Sequence, residues 1–122
     1  MRKNKSFNQS LVSAFSGLIF LLKNERNTRI HLAATCLVIL VSALVKISPM
    51  EWLFIILAII LVWIAEAFNT SLEKLFDLVE PCDNALVEAG KDISAAAVFL
   101  TAILSVITGL VILGPPIYRL LF

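Results

Sequence analysis

The sequence predicts an all-α integral membrane protein, with an N-terminal amphipathic surface helix followed by three transmembrane helices. Three observations carry this. Of the 122 residues, 60% are apolar and 16% charged, with a mean hydropathy of +0.96; soluble domains hold roughly 45–50% apolar and about 25% charged residues. Three apolar stretches, 30–47, 52–72 and 93–113, approach or reach the length of about 20 residues that crosses a hydrocarbon core roughly 30 Å thick. Charge is also segregated beneath a net +1: residues 2–29 carry +5 and residues 66–92 carry −5. A single membrane domain over 1–122 is expected, and the length leaves no room for a two-domain soluble enzyme.

Each element has its own warrant. Arg2, Lys3 and Lys5 suggest the start of a signal peptide, but Asn8, Gln9, Ser10, Ser13 and Ser16 interrupt any apolar run behind them. Instead Phe7, Leu11, Ala14, Phe15, Leu18, Ile19 and Leu22 recur at three- and four-residue spacing, which predicts a surface helix over about 6–23. The first span contains only His31 and Lys46 as ionisable residues. A tight turn at 46–51 follows, with Trp52 as an interfacial anchor. The second span runs into a polar segment, 73–92, which Pro81 breaks near Cys82, Asp83 and Asn84. The third span carries no charge at all.

Lys and Arg are concentrated in the N-terminal segment and in 66–92, which places both regions in the cytoplasm and the C-terminus outside. The basic N-terminus is explained by anionic lipid and topology, so no nucleic-acid partner is expected. Glycines at 17, 90, 109 and 114 form neither a GxGxxG nor a Walker loop. His31, Cys36 and Cys82 share no zinc-ligand spacing, and both thiols are expected to be free.

The informative segment lies at the end of the second span. At 100° per residue, Glu66, Asn69, Glu73 and Asp77 fall at about 0°, 300°, 340° and 20°, one narrow stripe with Thr70 beside it. Phe68, Leu72, Leu75, Phe76 and Val79 form the opposite face. Counting ~1.5 Å per residue from Trp52, Glu66 lies ~21 Å along and Glu73 ~31 Å along. Glu66 is therefore still within the bilayer boundary, while Glu73 reaches its edge. Aligned carboxylates at that depth repel one another and require compensation by a cation, a metal or protons. Three spans can hardly hide such a stripe, so packing against further copies of the chain is expected to cover it.

With these residues the sequence resembles the small prokaryotic lipid kinases, the diacylglycerol kinase and undecaprenol kinase family. Its signature is matched by Glu66, Asn69, Thr70, Ser71, Leu72, Glu73 and Asp77. Asn24-Glu25 with Arg29, the run Lys91-Asp92-Ile93-Ser94-Ala95-Ala96-Ala97-Val98, and Ser10, Ala14 and Gly17 extend the likeness along nearly the whole chain. The chain departs from the family at Phe68 and Phe76, which replace aliphatics, and at Ser6 and Ser13, which replace an arginine and a tyrosine. Cys82-Asp83-Asn84 stands where the family often has Glu-Tyr-His.

The resemblance implies a homotrimer in the bacterial cytoplasmic membrane, with sites shared between protomers. It would transfer the γ-phosphate of ATP to a lipid alcohol, undecaprenol or diacylglycerol, with Mg2+ as cofactor. It assigns Glu66 as general base and Asn69 as the group orienting it. Glu25 and Glu73 are implied as metal ligands, and with Asp77, Lys91 and Asp92 as ATP-binding residues. Arg29, His31 and Glu66 are implied at the lipid substrate. The run Arg29-Ile30-His31 resembles the undecaprenol kinase branch.

Without the resemblance, several of these residues fit simpler structural roles. Glu25 suits an i,i+4 pair with Arg29, Lys91 a snorkelling interfacial lysine, and His31 a cap on the first span. Two other functional classes also fit a polar stripe in a small membrane protein: a transporter or channel subunit with an acidic cytoplasmic mouth, or a silent membrane scaffold. Against a channel, residues 53–65 offer no polar lining except the Trp63 indole.

Overall fold

A computed structural model describes residues 4–79 and 84–122. The predicted break at Pro81 and the linker positions Cys82 and Asp83 lie outside them. Among the described residues the chain forms four helices, α1 (Phe7–Asn24), α2 (Arg26–Leu44), α3 (Pro49–Val79) and α4 (Ala85–Leu121). The last three are long and apolar enough to cross a membrane.

Local capping chemistry sets where each helix begins and ends. Ser6 and Gln9 form a reciprocal capping box at the start of α1, the Ser6 hydroxyl accepting from the Gln9 N–H and the Gln9 side chain accepting from the Ser6 N–H. α1 and α2 are separated by one extended residue, Glu25, at φ −112° and ψ 115°. At the end of α2 the Ile47 N–H donates to Ser42 O (3.3 Å) and the Lys46 N–H to Ala43 O (3.4 Å), a Schellman-type closure. Lys46 takes the left-handed position, φ 55°, that glycine usually fills. Ser48 and Glu51 then form a second capping box around Pro49 at the first helical position of α3. Asn84 caps α4 by accepting from the N–H groups of Leu86 and Val87.

The helices differ in extent from the predicted spans because caps, not the hydrocarbon boundary, terminate them. α3 has 31 residues and α4 has 37, or ~46 Å and ~55 Å at 1.5 Å per residue, well beyond the bilayer core. Most of the polar segment predicted at 73–92 is therefore helical, with α3 reaching Val79 and α4 starting at Ala85. At its other end α4 continues through Pro115 and Pro116 to Leu121, past the predicted end at 113.

α3 is the centre of the bundle and packs most extensively on α4. Near the 46–51 turn, Ile55, Ile112 and Leu113 form a buried apolar cluster, flanked by Val38, Val41, Val45 and Ile47. Farther along, the Trp63 indole donates to Thr35 Oγ1 across α2 and α3 at 3.1 Å, and Ser105 reaches Ala58 O from α4 at 3.4 Å. Small residues here let helices approach closely, and apolar lipid offers no hydrophobic drive between spans, so packing and such bonds carry the association.

The surface helix meets the bundle along a line offset from its predicted apolar stripe. Ala14, Gly17, Leu18, Phe20 and Leu21 face a groove against α3, and Leu21 is the buried residue of α1. Phe7, Leu11, Phe15 and Ile19 remain exposed, the positions a membrane surface would cover. Lys74 of α3 sits 4.9 Å above the Phe20 ring and ties the two helices.

Candidate active site

α3 carries its polar stripe inward and its apolar face outward, the reverse of a surface helix in a soluble protein. Glu66 and Thr70 are buried at 3% and 4% exposure, Asn69 and Glu73 are half-buried, and Asp77 is exposed. Phe68, Leu75, Leu78 and Val79 face out. The stripe thus grades from sealed to solvated along one helix. Contrary to the expectation that three spans leave it open, its Glu66 end is covered within one chain, because α2 and α4 both pack on α3.

The facing wall comes from α2, which runs antiparallel to α3. Trp63 pairs with Thr35, and Glu66 Oε2 lies 3.6 Å from His31 Nε2, an ion-pair separation longer than a hydrogen bond. Continued by one turn, this register runs from the fully buried Thr28 on α2 to Thr70 on α3. Among the described residues Thr28 Oγ1, Thr70 Oγ1 and Glu66 Oε2 are buried without a hydrogen-bond partner. Orphaned polar atoms of this kind are rare in packed interiors and call for a ligand or water to complete them.

Glu25 occupies the break between α1 and α2, and its side chain makes no capping bond. Its carboxylate and that of Glu73 are within electrostatic range of Glu66. Among the described residues no three His, Cys, Asp or Glu side chains converge on a metal-holding set. Magnesium in phosphate sites commonly takes only one or two carboxylates, the rest coming from phosphate and water. The Glu25 and Glu73 carboxylates fit that smaller requirement.

α4 supplies the third wall. Lys91 Nζ pairs with Asp77 Oδ1 at 2.5 Å, and the Ser94 hydroxyl, 7% exposed, lies 2.7 Å from Asn69 Oδ1. Asp92 is exposed beside Lys91. The Arg29 guanidinium donates to the carbonyls of Leu22 (3.4 Å) and Lys23 (3.1 Å), capping the last turn of α1 instead of pairing with Glu25. Below His31, an apolar groove of about 200 Å3 opens between the three spans, lined by Ala34, Thr35, Val62, Ala102 and Ser105.

The structure therefore gathers Glu66 and His31 in one contact, keeps Glu25 and Glu73 near them, and joins Asp77 to Lys91. Arg29 is drawn to α1, and Asn69 bonds Ser94 and not Glu66. Sequence reasoning gave no role in the site to Thr28 or Ser94. Ser94 had a signal: it is the one polar residue in the run from Ile93 to Val98, one helical turn after Lys91. Thr28 had none, since its burial depends on how α2 meets α3.

The chain is similar to known proteins over most of its length. The family model described as prokaryotic diacylglycerol kinase matches residues 12–113. An undecaprenol kinase of Bacillus subtilis (strain 168) is 38% identical over 109 residues, covering 89% of this chain and 89% of that protein. A diacylglycerol kinase of Synechocystis sp. (strain ATCC 27184 / PCC 6803 / Kazusa) is 35% identical over 109 residues, covering 88% of this chain and 62% of that protein. A bundle of three membrane-crossing helices, a buried carboxylate at one end and these two relatives lead to one conclusion: the chain belongs to the prokaryotic diacylglycerol kinase family of membrane lipid kinases.

Proposed function

We propose that this kinase transfers the γ-phosphoryl group of ATP to the hydroxyl of a membrane lipid alcohol at the cytoplasmic surface, with undecaprenol favoured over diacylglycerol. The carrying observation is Glu66, a carboxylate 3% exposed on a membrane-crossing helix, 3.6 Å from His31, with one oxygen unpartnered among the described residues. An ionisable group so placed marks a site.

In this reading Glu66 accepts the proton of the attacking hydroxyl through its unpartnered oxygen, and His31 faces that oxygen and stabilises its charge. Phosphoryl transfer rests on positioning and charge neutralisation more than on covalent help from the protein. Glu25 and Glu73 would hold Mg2+ beside the nucleotide, and the metal, when bound, would offset the negative charge of the phosphates. Lys91, held by Asp77, and the exposed Asp92 lie at the nucleotide end of the stripe. The groove below His31 is apolar and takes part of the hydrocarbon of the substrate, so that its hydroxyl ends at Glu66.

The lean to undecaprenol rests on His31 and on the relative named undecaprenol kinase, which is similar over 89% of both chains. Protomers assemble as a homotrimer with shared sites, covering the exposed apolar face of α3 that includes Leu53, Leu57, Ile60 and Ile64. The N-terminus is cytoplasmic and the C-terminus outside, as the Lys and Arg distribution directs.

A phosphate-transfer assay in mixed micelles with ATP and Mg2+, comparing undecaprenol with diacylglycerol, tests this reading. Faster turnover of undecaprenol is expected. Turnover of neither lipid refutes the substrate class, and faster turnover of diacylglycerol refutes the preference.

A further inference from the structure

We propose that Ser94 is a positioning residue for phosphoryl transfer: its hydroxyl holds the carbonyl end of the Asn69 carboxamide, leaving the amide nitrogen free to donate at the carboxylate stripe. The proposal rests on the reading of Asn69 as part of the active site.

A carboxamide has an accepting end and a donating end, and the torsion that exchanges them is soft. Asn69 lies on the stripe of Glu66 and Glu73, where an outward carbonyl would meet carboxylates and an outward NH2 would serve them or a phosphate. Something must choose between the two. Ser94 Oγ lies 2.7 Å from Asn69 Oδ1 and 3.0 Å from Lys91 O, and a hydroxyl has only one proton to give. Lys91 O sits inside α4 and already accepts along the helix, whereas Asn69 Oδ1 has no other donor among the described residues. With the carboxamide oxygen facing Ser94, as it does in the structure, the proton goes to Asn69 Oδ1. At 7% exposure Ser94 is largely shielded from competing water, so the bond keeps its strength. The Asn69 nitrogen makes no hydrogen bond to the described residues and retains both of its donors.

The same contact registers α4 against α3. Ser94 lies one turn beyond Lys91, and Lys91 is paired with Asp77 of α3. Two polar contacts, Asn69 with Ser94 and Asp77 with Lys91, thus align the nucleotide end of the stripe with the base end.

The test compares Ser94→Thr with Ser94→Val, near-isosteres that differ in the hydroxyl, in the lipid phosphorylation assay. Threonine is expected to stay within about twofold of the parent kcat, and valine to fall about tenfold, the scale of one buried hydrogen bond. KM for ATP and for lipid should move less than about twofold in both, since binding surfaces are untouched. Ser94→Ala removes the hydroxyl without added bulk, should match valine, and replaces it if valine unfolds the protein. In an Asn69→Ala background Ser94→Val should have no further effect. Equal rates for threonine and valine overturn the proposal, as does a full additional loss in the Asn69→Ala background, which would make Ser94 a packing residue only. A parental rate for Asn69→Ala overturns both the role of Asn69 and this proposal. An impaired Asn69→Ala beside a normal Ser94→Val refutes Ser94 alone.

Discussion

At the end of the bundle near the 46–51 turn, Ile55, Ile112 and Leu113 fill the space between helices, and the turn itself is closed by the Lys46 and Ile47 amides and the Ser48–Glu51 box. At the opposite end the buried residues include Thr28, Glu66, Thr70 and Ser94, and three of their oxygens have no partner among the described residues. The first end closes its backbone groups locally and packs apolar atoms, with one buried hydroxyl, Ser42 Oγ, left unpartnered among the described residues. The second leaves polar groups unfilled in a setting where each is expensive. On the proposed function, stability and chemistry are divided along the length of the same helices, with α3 contributing Ile55 to one end and Glu66 to the other.

The division is sharpest at Glu66. Glu66→Gln keeps the shape and removes the proposed base, so turnover should fall roughly 10²–10⁴-fold, while the unfolding midpoint in micelles stays level or rises because a buried carboxylate is gone. A parental rate would show that turnover does not need the Glu66 carboxylate. The mirror case is Ile55→Ala, expected to lower stability by about 2–4 kcal/mol through lost packing and a residual cavity, with kcat per folded molecule unchanged. A large kcat loss there would show that the two ends are not separable.

Glu73→Ala sharpens the chemical end. Isothermal titration should show Mg2+-dependent ATP affinity reduced by about tenfold or more, the scale of a lost charged contact, and unchanged affinity would remove Glu73 from the metal site. The smallest effect belongs to the turn. Lys46→Gly relieves a left-handed side-chain residue and should raise stability by roughly 0.5 kcal/mol without altering turnover, measured as a higher unfolding midpoint in micelles.

Much of this molecule is legible along the chain. The surface helix, the three spans and the Glu66–Asp77 stripe follow from 3.6-residue periodicity and from runs of apolar residues, which are properties of neighbours in sequence. The capping boxes at Ser6–Gln9 and Ser48–Glu51 are equally local, each a serine followed three residues later by a side chain that can reach back. The contact between His31 and Glu66 is of another kind, since the two lie on different helices whose register no local pattern records.

By itself, then, the sequence determined a three-span membrane protein with a surface helix, and one helix face bearing acids at the edge of the bilayer, because hydropathy and helical periodicity act residue by residue. Tertiary structure alone decided that the Glu66 end of this face would be sealed by α2 and α4, that Asn69 would meet Ser94, and that Arg29 would turn to the carbonyls of α1. Those outcomes depend on the rotation and offset of whole helices, which are set by how small and large side chains interlock across interfaces.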